Sequence, residues 1–169
     1  MKKIILFVFL LATGFSGCEK DDICDENTGT TPRLIIQFYD FTNPTLTKSV
    51  TNLAITKSGD TTPYVIYSGV SKIQVPLDIA SDLSQYQFIL NYGNSNPTFI
   101  NTDYIEFNYT RNNVYVSRAC GYKTVFKLND TNPYTQTDNT EPDGLWMRNI
   151  TVIQSDILTE NETHLNISL

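Results

Sequence analysis

"DYIEFNYTRNNVYVSRACGYKTVFKLND", Asp103 to Asp130, is the stretch on which the fold turns. Ile105, Phe107 and Tyr109 alternate with Glu106 and Asn108, the period of two of a half-buried strand. Asn112-Asn113 comes next; asparagine tolerates positive φ, so the pair predicts a tight turn. Val114 and Val116 resume the alternation, Gly121 turns the chain, and Val125 to Leu128 continue it. The stretch therefore predicts three strands joined by short turns.

The same pattern extends in both directions. "RLIIQFYDF", Arg33–Phe41, carries Leu34, Ile36 and Phe38 on one face and Ile35 and Tyr39 on the other, which predicts a central strand. "SVTNLAITK", "PYVIYSG", "SKIQVPLD" and "SQYQFILNYG" read as further strands, and Pro76, lacking a ladder donor, marks an edge or a strand end. "DIASDLSQ", Asp78–Gln85, is short enough for one helical turn. Asn129–Gly144 has two prolines and no apolar period, and predicts a loop. "WMRNITVIQS" and "THLNISL" close the chain. About nine short strands with frequent turn signals predict an all-β protein, a single immunoglobulin-like or transthyretin-like antiparallel β-sandwich over 33–169.

The N-terminal segment reads as an address. Met1-Lys2-Lys3 precedes the apolar run Ile4–Leu11, which is too short to span a bilayer and suits a secretory signal. "GFSGC", Gly14–Cys18, resembles the lipobox of bacterial lipoproteins, with Phe15 where an aliphatic residue is usual. The resemblance implies that residues 1–17 are removed, that Cys18 is lipidated and that 18–32 form a tether. Several acyl chains hold a protein stably where one does so only marginally. Lys20, Asp21 and Asp22 resemble the signal that sends lipoproteins of Bacteroidota to the cell surface. The expected location is the outer membrane, at the cell surface or otherwise facing the periplasm.

Charge narrows the partners. The chain has 12 Lys+Arg and 18 Asp+Glu; without Lys2 and Lys3 the balance is 10 against 18, or −8. That sign disfavours nucleic acid. With Cys18 lipidated, two cysteines remain in an oxidising compartment, which predicts a Cys24–Cys120 disulfide.

Residues able to carry chemistry are few. His164 is the one histidine, no Gly-x-Ser-x-Gly elbow exists, and the residue reads as surface or strand end. Asp103 with Glu106, and Asp138 with Glu141 and Asp143, are the carboxylate candidates for hydrolysis, and a solvated surface is the expected setting for both. The 129–144 loop has oxygen ligands for calcium but no EF-hand spacing. No cofactor is expected. Tyr64, Tyr67, Tyr86, Tyr92, Tyr104, Tyr109, Tyr115, Tyr122 and Tyr134 are candidates for a glycan-stacking surface, although most fall at strand positions where tyrosine packs with its hydroxyl wet. Trp146, beside the long loop, is the best single candidate for a ligand contact, although a core anchor is the reading its residue type favours. Asp60-Thr61-Thr62 resembles the O-glycan acceptor of exported Bacteroidota proteins, with Thr61 the modified residue.

"CEKDDIC" (Cys18–Cys24), "TTPRLIIQFYD" (Thr30–Asp40) and "SRACGYKTVFKL" (Ser117–Leu128) together resemble a family of small uncharacterised Bacteroidota lipoproteins, a domain of unknown function. The resemblance implies a location and a β fold, and no activity. The functional expectation is a membrane-anchored, non-enzymatic binding or structural module with a protein or glycan partner. The alternatives are a carbohydrate-binding accessory of a nutrient-uptake system and a carboxylate-dependent hydrolase.

Overall fold

The computed structural model describes residues 23–26, 28–140 and 143–169. Cys18, Lys20, Asp21, Asp22 and Glu141 lie outside them, as does the whole signal segment. Eleven strands are formed among the described residues: β1 (Leu34–Tyr39), β2 (Leu53–Lys57), β3 (Val65–Tyr67), β4 (Lys72–Val75), β5 (Leu83–Leu90), β6 (Asn101–Ser117), β7 (Gly121–Leu128), β8 (Tyr134–Asp138), β9 (Asn149–Val152), β10 (Asp156–Ile157) and β11 (Leu165–Ser168). No α-helix occurs among these residues; a 3₁₀ turn, Pro97–Phe99, is capped by the Asn96 side chain.

The strands make a two-sheet β-sandwich. One sheet has the order β4-β1-β11-β9, and the other β10-β7-β6-β5-β2-β3 with β8 also paired to β6. β1–β11 is parallel, and β1–β4, β9–β11, β2–β3, β2–β5, β5–β6, β6–β8 and β7–β10 are antiparallel. Leu34, Ile36 and Phe38 of β1, Ile73 and Val75 of β4, and Leu165 and Ile167 of β11 share one core with Leu53, Ile55, Phe88, Ile105, Phe107 and Phe126. Each of these is at most 1% exposed. β1 is central and Pro76 follows an edge strand, as their sequences predict.

The chain divides into two compact units. The larger comprises Gly29–Asn113 and Thr124–Leu169. The smaller includes Val114–Lys123 and Cys24, whose sulfur is bonded to that of Cys120 with the Cα atoms 4.9 Å apart.

Three expectations are corrected. Asn112-Asn113 is not a turn: both residues lie inside β6, and the Asn113 side chain accepts a hydrogen bond from the Thr124 hydroxyl at 2.9 Å. The reversal comes instead between Ser117 and Gly121, where Ser117 Oγ accepts from the Cys120 amide and Gly121 supplies φ +68°. The 129–144 segment is not a continuous loop, because β8 pairs residues 134–138 with 103–107 of β6. Residues 78–85 form no helical turn. The Asp78 carboxylate accepts from the Ala80 amide, a local bond that competes with helix, and β5 begins at Leu83.

Candidate functional site

β6 sorts its side chains by parity. Asp103 is in phase with Ile105, Phe107 and Tyr109 and points inward; Tyr104 and Glu106 point outward. Asp103 and Glu106 therefore stand on opposite faces of the sheet and do not form a catalytic pair. Asp103 is 0% exposed, which overturns the solvated setting expected for it. Its carboxylate accepts from the amides of Trp146 at 3.4 Å and Met147 at 3.0 Å, and from Gln136 Nε2 at 2.9 Å. Burial raises its pKa, and these three donors oppose the rise. The carboxylate thus holds the 146–147 backbone and the edge strand β8 in place, with no lone pair presented to solvent.

Trp146 belongs to this inner corner. It is 7% exposed, its indole N–H donates to the Phe88 carbonyl at 3.1 Å, and its ring lies 6.2 Å from that of Phe38. Trp146 is thus the core anchor that its residue type favours, and the alternative of a ligand contact is corrected. Its amphipathic ring buries apolar area while the single donor is satisfied by a strand carbonyl.

The second carboxylate set is not sealed: Asp143 is exposed, as expected, Asp138 is half-buried, and Glu141 lies outside the described residues. Asp138 pairs with Asp103 across the β6–β8 ladder, and its own oxygens accept from the amides of Asn139 and Gly144. Desolvation, and then the charge of Asp138, raise the pKa of Asp143. Among the described residues no group of three or more His, Cys, Asp or Glu side chains is placed to hold a metal ion.

His164 is a strand-end residue but not a surface one. It is 1% exposed, and its Nδ1 accepts from the Ile35 amide at 2.9 Å while its own amide donates to the Ile35 carbonyl at 2.9 Å. The imidazole thus stands in for a backbone acceptor at the start of the parallel β1–β11 pair. Burial lowers its pKa and holds it neutral.

Exposed chemistry lies on the opposite face of β6. A concavity of about 240 Å³ is lined by Ser58, Gln85, Tyr104, Glu106, Thr135 and Thr137 and walled by Tyr86. Gln85 Nε2 donates to Glu106 Oε2 at 2.7 Å, fixing two of its polar groups. A second concavity of about 350 Å³ shares the Tyr86 wall and is lined by Lys57, Asp60, Tyr64 and Asp78. Tyr64 is 63% exposed there, and Lys57 is ion-paired with Asp78 at 3.1 Å. Tyr86 itself is inert: its hydroxyl donates to the Pro76 carbonyl, and burial pushes its pKa up to about 12. Thr61 is exposed in the turn between β2 and β3, beside Asp60. Tyr64 and Tyr104 are among the tyrosines that the sequence offers as stacking surfaces, whereas no pattern in the sequence singles out Gln85, Thr135 or Thr137.

A family model described as "Family of unknown function (DUF6452)" matches residues 47–169. The chain belongs to this family. No curated protein and no solved structure matches it. The family match includes Cys120 and every residue of the two concavities, while β1 and Cys24 precede it.

Proposed function

We propose that this member of the DUF6452 family is a lipid-anchored lipoprotein of the bacterial outer membrane, displayed at the cell surface, whose β-sandwich acts as a non-enzymatic binding or structural module. The observation that carries the reading is the Cys24–Cys120 disulfide, which needs an oxidising compartment, six residues downstream of the lipobox-like Cys18. Lys20-Asp21-Asp22 supports display. The net charge of −8 after signal removal speaks against nucleic acid as the partner.

Carbohydrate recognition is the second reading, and it moves from Trp146 to the exposed tyrosines. Tyr64 offers an open ring face, and Lys57, Asp60, Gln85 and Glu106 offer polar groups around it and Tyr104. An O-glycan on Thr61 would stand next to the second concavity. Carboxylate-dependent hydrolysis gains no support from Asp103, which is enclosed and already accepts three hydrogen bonds.

The test is fractionation. The chain expressed in a Bacteroidota host should partition into detergent and sediment with outer membrane, and C18S should not. Changing Lys20, Asp21 and Asp22 together to Ala should keep membrane association and protect the protein from protease added to whole cells. Membrane retention by C18S would overturn the anchor, and protection of the unaltered protein would overturn display.

A further inference from the structure

The smaller unit carries an exposed aromatic pair. Tyr115 near the end of β6 and Tyr122 at the start of β7 are 55% and 70% exposed, with ring centroids 5.4 Å apart. Val114 is 37% exposed and Ile23, beside the bridged Cys24, is 82% exposed. Exposed large side chains are ordinary when scattered, but here four of them fall within the unit that the disulfide closes.

Covalent reach decides what this cluster meets. Cys24 is six residues downstream of Cys18. A fully extended chain gains at most about 3.6 Å per residue, so Cys24 stands no farther than about 22 Å from the Cα of Cys18. Cys120 lies 4.9 Å from Cys24, Cα to Cα. A lipidated Cys18 sits at the headgroup level, so Cys120 in the hairpin turn stays within roughly 27 Å of it. Tyrosine is the residue that the headgroup layer favours, its ring against the acyl boundary and its hydroxyl among the headgroups. Confinement by the anchor also makes the contact intramolecular, so a weak preference for the interface suffices to populate it.

We propose that the Val114–Lys123 hairpin docks on the phospholipid headgroup layer of the membrane that anchors the chain, through Tyr115 and Tyr122, with the Cys24–Cys120 bridge limiting its distance. The inference rests on the lipid-anchor reading above. The disulfide then has a role beyond stability: it limits how far the hairpin can stand from the lipidated cysteine.

The experiment uses full-length lipidated protein in vesicles of phosphatidylethanolamine and phosphatidylglycerol. An environment-sensitive fluorophore is attached through V114C, and in a parallel sample through T61C, with the native disulfide closed in both. The label at 114 should shift to the blue on reconstitution and be quenched severalfold more by headgroup-proximal spin-labelled lipid than the label at 61. Changing both tyrosines to Ser in the V114C background should remove that difference. Equal quenching at the two positions in protein that floats with the vesicles would overturn the docking while leaving the anchor intact. The double-Ser variant keeping the full difference would overturn the role of the tyrosines. Protein that does not float overturns the anchor reading, and the docking falls with it.

Discussion

Asp103 and Glu106 are three residues apart on β6, and each is an acid beside a tyrosine or an aliphatic residue in the sequence. The inner acid is sealed under Trp146 and Met147 and accepts three hydrogen bonds from three different residues. The outer acid takes one bond from Gln85 at the rim of an open concavity. A strand places consecutive side chains on opposite faces, so parity alone sends one carboxylate to a structural task and the other to the surface. The difference teaches that in this fold the residues with the strongest chemical signature are those used for building. Asp103, Trp146 and His164 are all buried and all hydrogen-bonded. What remains for recognition is a set of ordinary polar and tyrosine side chains.

The sharpest way to break that contrast is to remove each acid. D103A strands the Trp146 and Met147 amides and one Gln136 donor, and should cost roughly 3–5 kcal/mol, a large part of a domain's total. E106A should stay within about 0.5 kcal/mol. Urea unfolding followed by Trp146 fluorescence measures both. Equal costs for the two variants would mean that the inner carboxylate is not the support described here.

The bridge comes next in size. Cys24 and Cys120 are 96 residues apart in sequence. Closing a loop of that length stabilises by about 2–4 kcal/mol in typical cases, chiefly by restricting the unfolded chain. C24S/C120S, or reduction of the unaltered protein, should lower the unfolding midpoint accordingly. An unchanged midpoint on complete reduction would show that the smaller unit is energetically separate from the cooperative fold.

How much of this could be read beforehand depends on where apolar residues alternate. β4, β5 and the first half of β6 alternate because one face is buried, β1 is apolar on both faces because both are buried, and the sandwich follows from them. The second half of β6 lies exposed from Thr110 to Tyr115, so its sequence carries no burial signal and Asn112-Asn113 imitates a turn. β8, "YTQTD", is polar because its inward residue, Gln136, answers a buried charge rather than an apolar core. Asp103 did leave a trace, since it stands in phase with Ile105, Phe107 and Tyr109. The disulfide was legible from cysteine arithmetic. The outer concavities were not, because their lining comes from β2, β5, β6 and β8 and from the connections after β2 and β4, with no spacing in common.

A smaller effect follows from pH. The His164 pKa is lowered from 6.5 by burial, so the unfolded chain takes up the proton first as pH falls. The stabilisation from neutral His164 is therefore complete above about pH 6.5 and is lost as pH drops toward the lowered value. Protonated Nδ1 can no longer accept from the Ile35 amide, which gives the loss its structural route. Asp103 acts with the opposite sign: its raised pKa makes stability decline as pH rises from about 3.8 toward the folded value. H164Q should flatten the slope just below pH 6.5 and leave the Asp103 window in place. Unfolding curves across pH 4–8 would check this, and an unaltered slope in H164Q would assign it elsewhere.

The smallest expected change in stability is on the outer face, and there it is the point of the experiment. Y64A and Y104A each remove a ring from a concavity without opening the core, so their unfolding midpoints should move by no more than about 0.5 kcal/mol. Binding is where they should differ from the parent protein. If the outer face recognises glycans, a saccharide array probed with the parent should give signals that fall with either variant and survive W146F, because Trp146 has no open ring face to offer. W146F should instead lose about 1 kcal/mol of stability with its bond to the Phe88 carbonyl. The reverse pattern, binding lost with W146F alone while its fold is intact, would move recognition to the inner corner and break the division between the two faces of β6. A parent protein that binds no saccharide leaves protein partners for this face, and pull-down with Y64A/Y104A as the matched control then decides whether the two concavities are used at all.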